Sequence, residues 1–232
     1  MNKEFYASGG LVKRNPTLSA ELAPWKARHI LKILKRNNLY PKSICEVGCG
    51  SGEVLNQLYV NMPGDTVFAG YDISPQAIDI CRSKARERMR FYLNDLIEDN
   101  EDVFFDLILV IDVLEHIEDY IGFLKKLRQK SRCKIFHIPI DLSVQSVLRR
   151  SRLLLSRQPG HIHYFTKETA LAVLKETGYE IIDCFYTPSF NSQPCKSFLS
   201  FLALLPRNAL FAMNRDIAAR TLGGCSLLVL TR

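Results

Sequence analysis

No two of the seven cysteines form a Cys-x-x-Cys pair, and their number is odd. Spacing of this kind offers neither a zinc-ribbon pattern nor a disulfide framework. Cys45, Cys133, Cys184 and Cys225 lie in apolar stretches and read as reduced core residues. No apolar run reaches the roughly 20 residues of a membrane-spanning helix. The first residues, Met1-Asn2-Lys3-Glu4-Phe5-Tyr6, lack the apolar core of a secretory leader, so a cytoplasmic location is expected. Internal repeats, low-complexity tracts and linkers are also missing. Basic and aromatic residues do not interleave, and a net charge of +7 is modest, so no nucleic-acid partner is expected. What remains is ordinary: 47% hydrophobic and 24% charged residues in a chain of 232. That is enough chain to bury a core as one domain.

The chain is organised around Ser43-Ile44-Cys45-Glu46-Val47-Gly48-Cys49-Gly50-Ser51-Gly52-Glu53-Val54-Leu55. An apolar strand ends in a carboxylate, glycines alternate with small residues, and a helical pattern resumes. Glycine tolerates φ > 0 and lets the backbone approach a ligand closely. The open N–H groups at the helix start favour a polar or anionic ligand group there. Before this stretch, Leu22, Trp25, His29, Ile30, Ile33 and Leu34 recur at helical spacing between Glu21 and Asn38, with Trp25 placed as a core or lid anchor. After it, Thr66–Asp72 reads as a second strand, and Ser74-Pro75 opens a helix extending to about Arg88. Residues 90–93 read as a third strand, and Phe104–Ile111 as a fourth, buried on both faces of a parallel sheet. A helix over about 119–129 precedes a fifth strand, Lys134–Ile138. The alternation predicts an α/β fold with a mostly parallel sheet. A sixth strand, Tyr179–Thr187, and a seventh, Cys225–Leu230, complete it, with Pro206 interrupting an apolar helical stretch between Phe198 and Met213.

The third glycine comes one residue early for a dinucleotide fingerprint, and Glu46 would sit badly beside a diphosphate. A carboxylate there suits a cationic group such as an ammonium or sulfonium. Asp72 can accept hydrogen bonds from ribose hydroxyls, and Asp95 from an adenine amino group. Four segments then resemble, in order and spacing, the successive motifs of class I S-adenosylmethionine-dependent methyltransferases. They are Glu46–Gly52, Gly70–Ser74, Asn94-Asp95-Leu96 and Asp112-Val113-Leu114-Glu115-His116-Ile117. The resemblance covers about residues 40–190 and the last strand. It implies a Rossmann-like, doubly wound, seven-stranded sheet with an antiparallel last strand and helices on both faces. It also implies S-adenosylmethionine as cofactor and S-adenosylhomocysteine as product. The methionine end would lie against Glu46, Gly48, Cys49, Gly50 and Gly52, and the ribose against Asp72 and Ile73. The adenine would meet Asn94, Asp95 and Leu96, and the transferred methyl group Ile111, Asp112 and Val113. Gly160–Thr166 further resembles a subgroup related to ubiquinone-biosynthesis O-methyltransferases, which act mostly on small molecules.

The acceptor is less legible. No Asn/Asp-Pro-Pro-Tyr/Phe sequence follows the fourth strand, which speaks against methylation of bases or protein amides. A small-molecule hydroxyl, on a sugar, a lipid-linked compound or another metabolite, is expected. The alternatives are a cofactor-binding homologue without transfer activity and, behind it, a nicotinamide oxidoreductase. A hydroxyl acceptor calls for a base, and histidine titrates near neutrality. His116, directly after the fourth strand, ranks first and His163 second. The same subgroup resemblance suggests a divalent-metal site at Asp112, Glu115 and His116, whose donor types are adequate for such an ion. The segment reads as opening a helix, however, and no vicinal-diol acceptor is evident, so no metal is expected. Residues 1–40 form an N-terminal arm and helix, and 142–165 and 188–224 are insertions acting as a substrate lid or dimer contact. Arg149, Arg150, Arg152 and Arg157 could clamp an anionic acceptor. The apolar residues from Phe198 to Phe211 read as a lid or homodimer contact, with peripheral membrane contact a further option.

Overall fold

A computed structural model describes residues 18–98, 103–148, 160–192 and 198–232. Seven strands form one sheet: β1 (Ser43–Val47), β2 (Val67–Asp72), β3 (Met89–Leu93), β4 (Phe105–Ile111), β5 (Ser131–Ile140), β6 (Ile181–Pro188) and β7 (Cys225–Thr231). Their order is β3-β2-β1-β4-β5-β7-β6. β1 to β5 run parallel, and β7 lies antiparallel to both β5 and β6, filling the slot between them. This is the doubly wound sheet with a reversed last strand that the family resemblance implies. From β1 the chain winds outward to β3 and then returns to place β4 on the other side of β1. That reversal opens a crevice at the carboxyl ends of β1 and β4, where such sheets take their ligands.

Eight helices accompany the sheet: α1 (Leu18–Arg36), α2 (Glu53–Asn61), α3 (Pro75–Arg82), α4 (Tyr120–Leu127), α5 (Val144–Leu148), α6 (Lys167–Glu176), α7 (Phe198–Met213) and α8 (Arg215–Leu222) among the described residues. The alternation in β4 shows how they are held. Leu107, Leu109 and Ile111 face one layer, where α1 contributes Ile30 and Ile33 and α2 contributes Leu55 and Leu58. Ile108 and Val110 face the other, against Leu124 and Leu127 of α4 and Leu174 of α6. All five strand residues are buried. Burial on both faces explains why this strand reads as a continuous apolar run.

Two expectations change. Helix α7 continues through Pro206 instead of stopping there, at the cost of the one hydrogen bond proline cannot donate. Helix α3 ends at Arg82, not near Arg88, and the chain closes a tight turn in which Arg86 pairs with Met89. Its start is as expected, with Pro75 in the first turn and Ser74 Oγ accepting from the Ala77 N–H. The arginines at 149, 150, 152 and 157 lie outside the described residues. Among the described residues no helix is long and apolar enough to cross a membrane.

Candidate active site

The loop after β1 is built from glycines that the backbone requires. Gly48, Gly50 and Gly52 have φ of 69°, 54° and 71°, a region that side chains disfavour. The Gly48 and Cys49 N–H groups donate to the Tyr71 carbonyl, hooking the loop onto the end of β2. Asp72 locks it further, because Oδ2 accepts from the Gly50 N–H and Oδ1 from the Ser74 N–H, each at 2.8 Å. The carboxylate therefore shapes the turn and keeps further lone pairs for a ligand. Burial raises its pKa, and the backbone donors at Ser74 and Gly50 oppose that rise.

A cavity of about 710 Å³ opens over this loop and the ends of β1 to β5. Gly48 and Gly50 line it from β1, Asp72 and Ile73 from β2, and Asn94, Asp95 and Leu96 from β3. Ile111, Asp112 and Val113 line it from β4. Three expected cofactor contacts, Glu46, Cys49 and Gly52, do not line it. The Cys49 thiol is buried in the core, where a Cβ on Gly70 would lie 2.9 Å from its sulfur. A Cβ on Gly52 would meet the Phe91 ring at 2.7 Å, so this glycine serves packing against β3 and not the ligand. Glu46 is buried below the cavity, which raises its pKa well above the usual carboxylate range.

Sequence reasoning missed Lys26. This residue of α1 is 8% exposed, lines the cavity, and pairs with Asp112 Oδ2 at 2.7 Å. Burial works against its charge, but Asp112 more than compensates, and its pKa is raised. Asp112 adopts φ 55°, unusual for a residue with a side chain. Its other oxygen accepts from His137 Nδ1 at 2.5 Å, and His137 Nε2 is hydrogen-bonded to Thr187 Oγ1 at 2.9 Å. Burial alone would raise the Asp112 pKa, but Lys26 and His137 hold it far below the usual carboxylate range. A polar chain thus runs from α1 through β4 and β5 to β6. Both Asp112 oxygens are engaged in it, and the donor atoms that cluster at the cavity wall belong to Glu115, His116 and His161.

Past β4, a short 3₁₀ turn (Leu114–His116) brings Glu115 and His116 to the cavity wall. Burial raises the Glu115 carboxyl well above its ordinary range and lowers the His116 imidazole below its own. The Glu115 carbonyl accepts from the Ile162 and His163 N–H groups, which clamps the segment after Gly160 beside the turn. That segment delivers His161, not His163, to the cavity. The His163 Nε2 donates to the Ile117 carbonyl at 2.9 Å and its ring lies edge-on to Tyr120, so this candidate base is a tether outside the cavity lining. His161 Nδ1 is hydrogen-bonded to Asp141 Oδ2 at 3.0 Å. Its Nε2 and the His116 Nε2 lie 3.8 Å and 3.9 Å from Glu115 Oε1. In donor type, Glu115, His116 and His161 are the described residues that could hold a metal ion.

Residues 20–183 match a family model described as a methyltransferase domain. No curated protein sequence matches the chain. Its fold is similar to that of magnesium protoporphyrin IX methyltransferase from Synechocystis PCC 6803, solved with bound S-adenosylhomocysteine, at 16% identity and TM-score 0.65 over 99% of this chain and 96% of that one. It is also similar to the putative methyltransferase in complex with the Trm112 activator of Haloferax volcanii, at 12% identity and TM-score 0.64, covering 96% and 93% of the two chains. A third similar structure is the N-methyltransferase NodS from Bradyrhizobium japonicum WM9, at 17% identity and TM-score 0.56 over 89% and 85%. The matched span carries the glycine loop, both strand-end aspartates and the Glu115–His161 wall, and with it the chain belongs to the methyltransferase domain family.

Proposed function

We propose that the cavity binds S-adenosylmethionine along the ends of β1 to β4 and passes its methyl group to a small-molecule hydroxyl. The observation that carries this reading is Asp72, a carboxylate that shapes the glycine loop and faces the cavity at once. In this reading the methionine end lies over Gly48 and Gly50, with its carboxylate toward the Lys26 ammonium. The ribose meets Asp72 and the adenine lies beside Asp95 and Leu96. Asp95 already accepts from the Ile97 N–H, which orients it. Acidic side chains from four strand ends supply a field that favours a sulfonium cation. In transfer, the acceptor oxygen attacks the methyl carbon in line, the carbon–sulfur bond breaks, and the sulfonium becomes a neutral thioether. The hydroxyl proton leaves toward the Glu115, His116 and His161 wall. Positioning supplies most of the acceleration, since the reaction needs no covalent intermediate on the protein. The acceptor occupies the remaining volume near Asp141, Ser189 and Ser226. The described parts of the two insertions reach that end, through His161 in 142–165 and Ser189 and Gly224 in 188–224, and act as its lid.

Calorimetry with S-adenosylhomocysteine tests the binding reading. Asp72→Ala is expected to abolish binding, and an unchanged affinity would sink it. Incubating cell extract with the protein and methyl-labelled S-adenosylmethionine then tests transfer. A labelled small molecule is expected, and binding without any labelled product would point to a cofactor-binding homologue instead.

A further inference from the structure

Helix α7 presents its apolar side to solvent. Among its described side chains the exposed ones are Leu202, Leu205, Pro206, Ala209, Ala212 and Met213, which fall on one stripe at about 3.6 residues per turn. Every one is apolar, and Met213 is 83% exposed. Arg207 and Asn208, the polar residues in the middle of the helix, are half-buried instead. A surface helix bathed in water has the opposite arrangement. Helix α5 repeats the inversion: Val144, Val147 and Leu148 are exposed, the last at 78%, while Gln145 and Ser146 are half-buried. The inward polar residues meet, because Arg207 donates to Gln145 Oε1 and to the Leu222 carbonyl, each at 3.0 Å. Hydrogen bonds behind the two helices thus hold their apolar stripes outward.

Charge decides what covers this surface. By sequence, the insertions at 142–165 and 188–224 hold eight lysines and arginines against one acid, Asp216, so the whole net charge of +7 lies in them. No acid occurs between Asp141 and Glu168, or between Asp183 and Asp216. Faces of one sign repel each other, which disfavours a second copy of the chain. Anionic headgroups attract each such cation near a membrane surface. The α7 stripe runs about 16 Å from Leu202 to Met213, and among the described residues no helix is long and apolar enough to cross a membrane. A short apolar stripe with basic flanks suits a helix lying in the interface plane. The stripe also adjoins the acceptor end of the cavity. Gly224 lines that end, and a Cβ added to it would lie 3.3 Å from the Arg207 guanidinium. Phe211 packs edge-on against Phe190, the neighbour of the cavity-lining Ser189.

We propose that α5 and α7 seat the protein on an anionic lipid surface, with their apolar stripes in the interface and the acceptor end of the cavity beside it. That the acceptor reaches the cavity from the lipid rests on the methyl-transfer reading; the docking itself does not.

Flotation of the purified full-length protein with lipid vesicles tests the docking. The protein is expected to rise with vesicles of phosphatidylcholine and phosphatidylglycerol in equal parts, and to stay behind with phosphatidylcholine alone. Salt at about 1 M, where the screening length is about 3 Å, is expected to weaken the binding. Leu205→Glu and Met213→Glu are each expected to lower the partition coefficient by about tenfold or more. Tyr40→Glu, at a residue 72% exposed before β1, should leave it unchanged. Circular dichroism keeps the result interpretable: if Leu205→Glu unfolds the protein, folded Met213→Glu decides. The proposal is overturned by absence of flotation with the anionic vesicles, by equal flotation with both kinds, or by binding undiminished in a folded Met213→Glu variant. A dimer seen by light scattering that Met213→Glu splits, without vesicle binding by the parent protein, would assign the stripe to a second copy and overturn it too. S-adenosylhomocysteine calorimetry on the parent protein separates the two readings. Vesicle binding without this ligand defeats the cofactor reading alone, and this ligand bound without vesicle binding defeats the docking alone.

Discussion

Single atoms decide the cofactor loop. At Gly52 an added Cβ meets both the Phe91 ring, at 2.7 Å, and the Cys81 sulfur, at 3.0 Å, on a backbone with φ 71°. Gly52→Ala is expected to lower unfolding stability by at least about 1–2 kcal/mol from the left-handed backbone alone, read as a drop in the urea midpoint. Gly64→Ala, where nothing lies within 4 Å, serves as the silent comparison. The sequence shows that three glycines make the loop, because only their spacing is needed for that inference. It does not show that the first two face the cavity while the third packs against β3, because Phe91 lies 39 positions away. The histidines follow the same logic. His161 and His163 alternate along the chain and so face opposite ways, but the exchange of roles between them depends on the Glu115 carbonyl that captures their segment.

Helix α1 shows what an element contributes beyond its own pattern. Its apolar spacing is legible, and Ile30 and Ile33 are fully buried as that spacing predicts. Its Lys26 is not legible, since the charge becomes part of the site only where the helix crosses the end of β4. Lys26→Met leaves Asp112 with His137 as its remaining partner and Glu46 nearby, and loss of one partner from a buried pair costs up to about 3–5 kcal/mol. A lower melting temperature and weaker S-adenosylhomocysteine binding are both expected. The pH dependence has a definite sign. Asp112 has its folded pKa depressed, so its contribution is present above its unfolded value of about 3.9 and fades as pH falls below it. Lys26 has its folded pKa raised, so its contribution is complete below about 10.4 and is lost as pH rises through the folded value. Urea midpoints measured from pH 3 to 6 should therefore climb more steeply in the parent protein than in Lys26→Met.

At the scale of the whole molecule, ligand binding and folding are one equilibrium. A ligand that binds only the folded state raises stability by about 2.7 kcal/mol at 100 times its dissociation constant. S-adenosylhomocysteine is expected to raise the melting temperature by several degrees and NAD to leave it unchanged; the reverse would restore the oxidoreductase reading. The sheet itself was legible because β4 and β7 are nearly continuous apolar runs that no surface strand would tolerate. The placement of β7 has a further consequence, for synthesis. Residues 225–231 occupy the slot between β5 and β6, so a chain still lacking them leaves β5 with an open edge and β6 with no partner in the sheet. The ribosome must therefore release some 180 residues of strands and helices before the sheet can close. A nascent chain stalled before residue 225 should remain protease-sensitive and bind chaperones that recognise exposed strand edges, until the final hairpin of pairings is supplied from the carboxyl end.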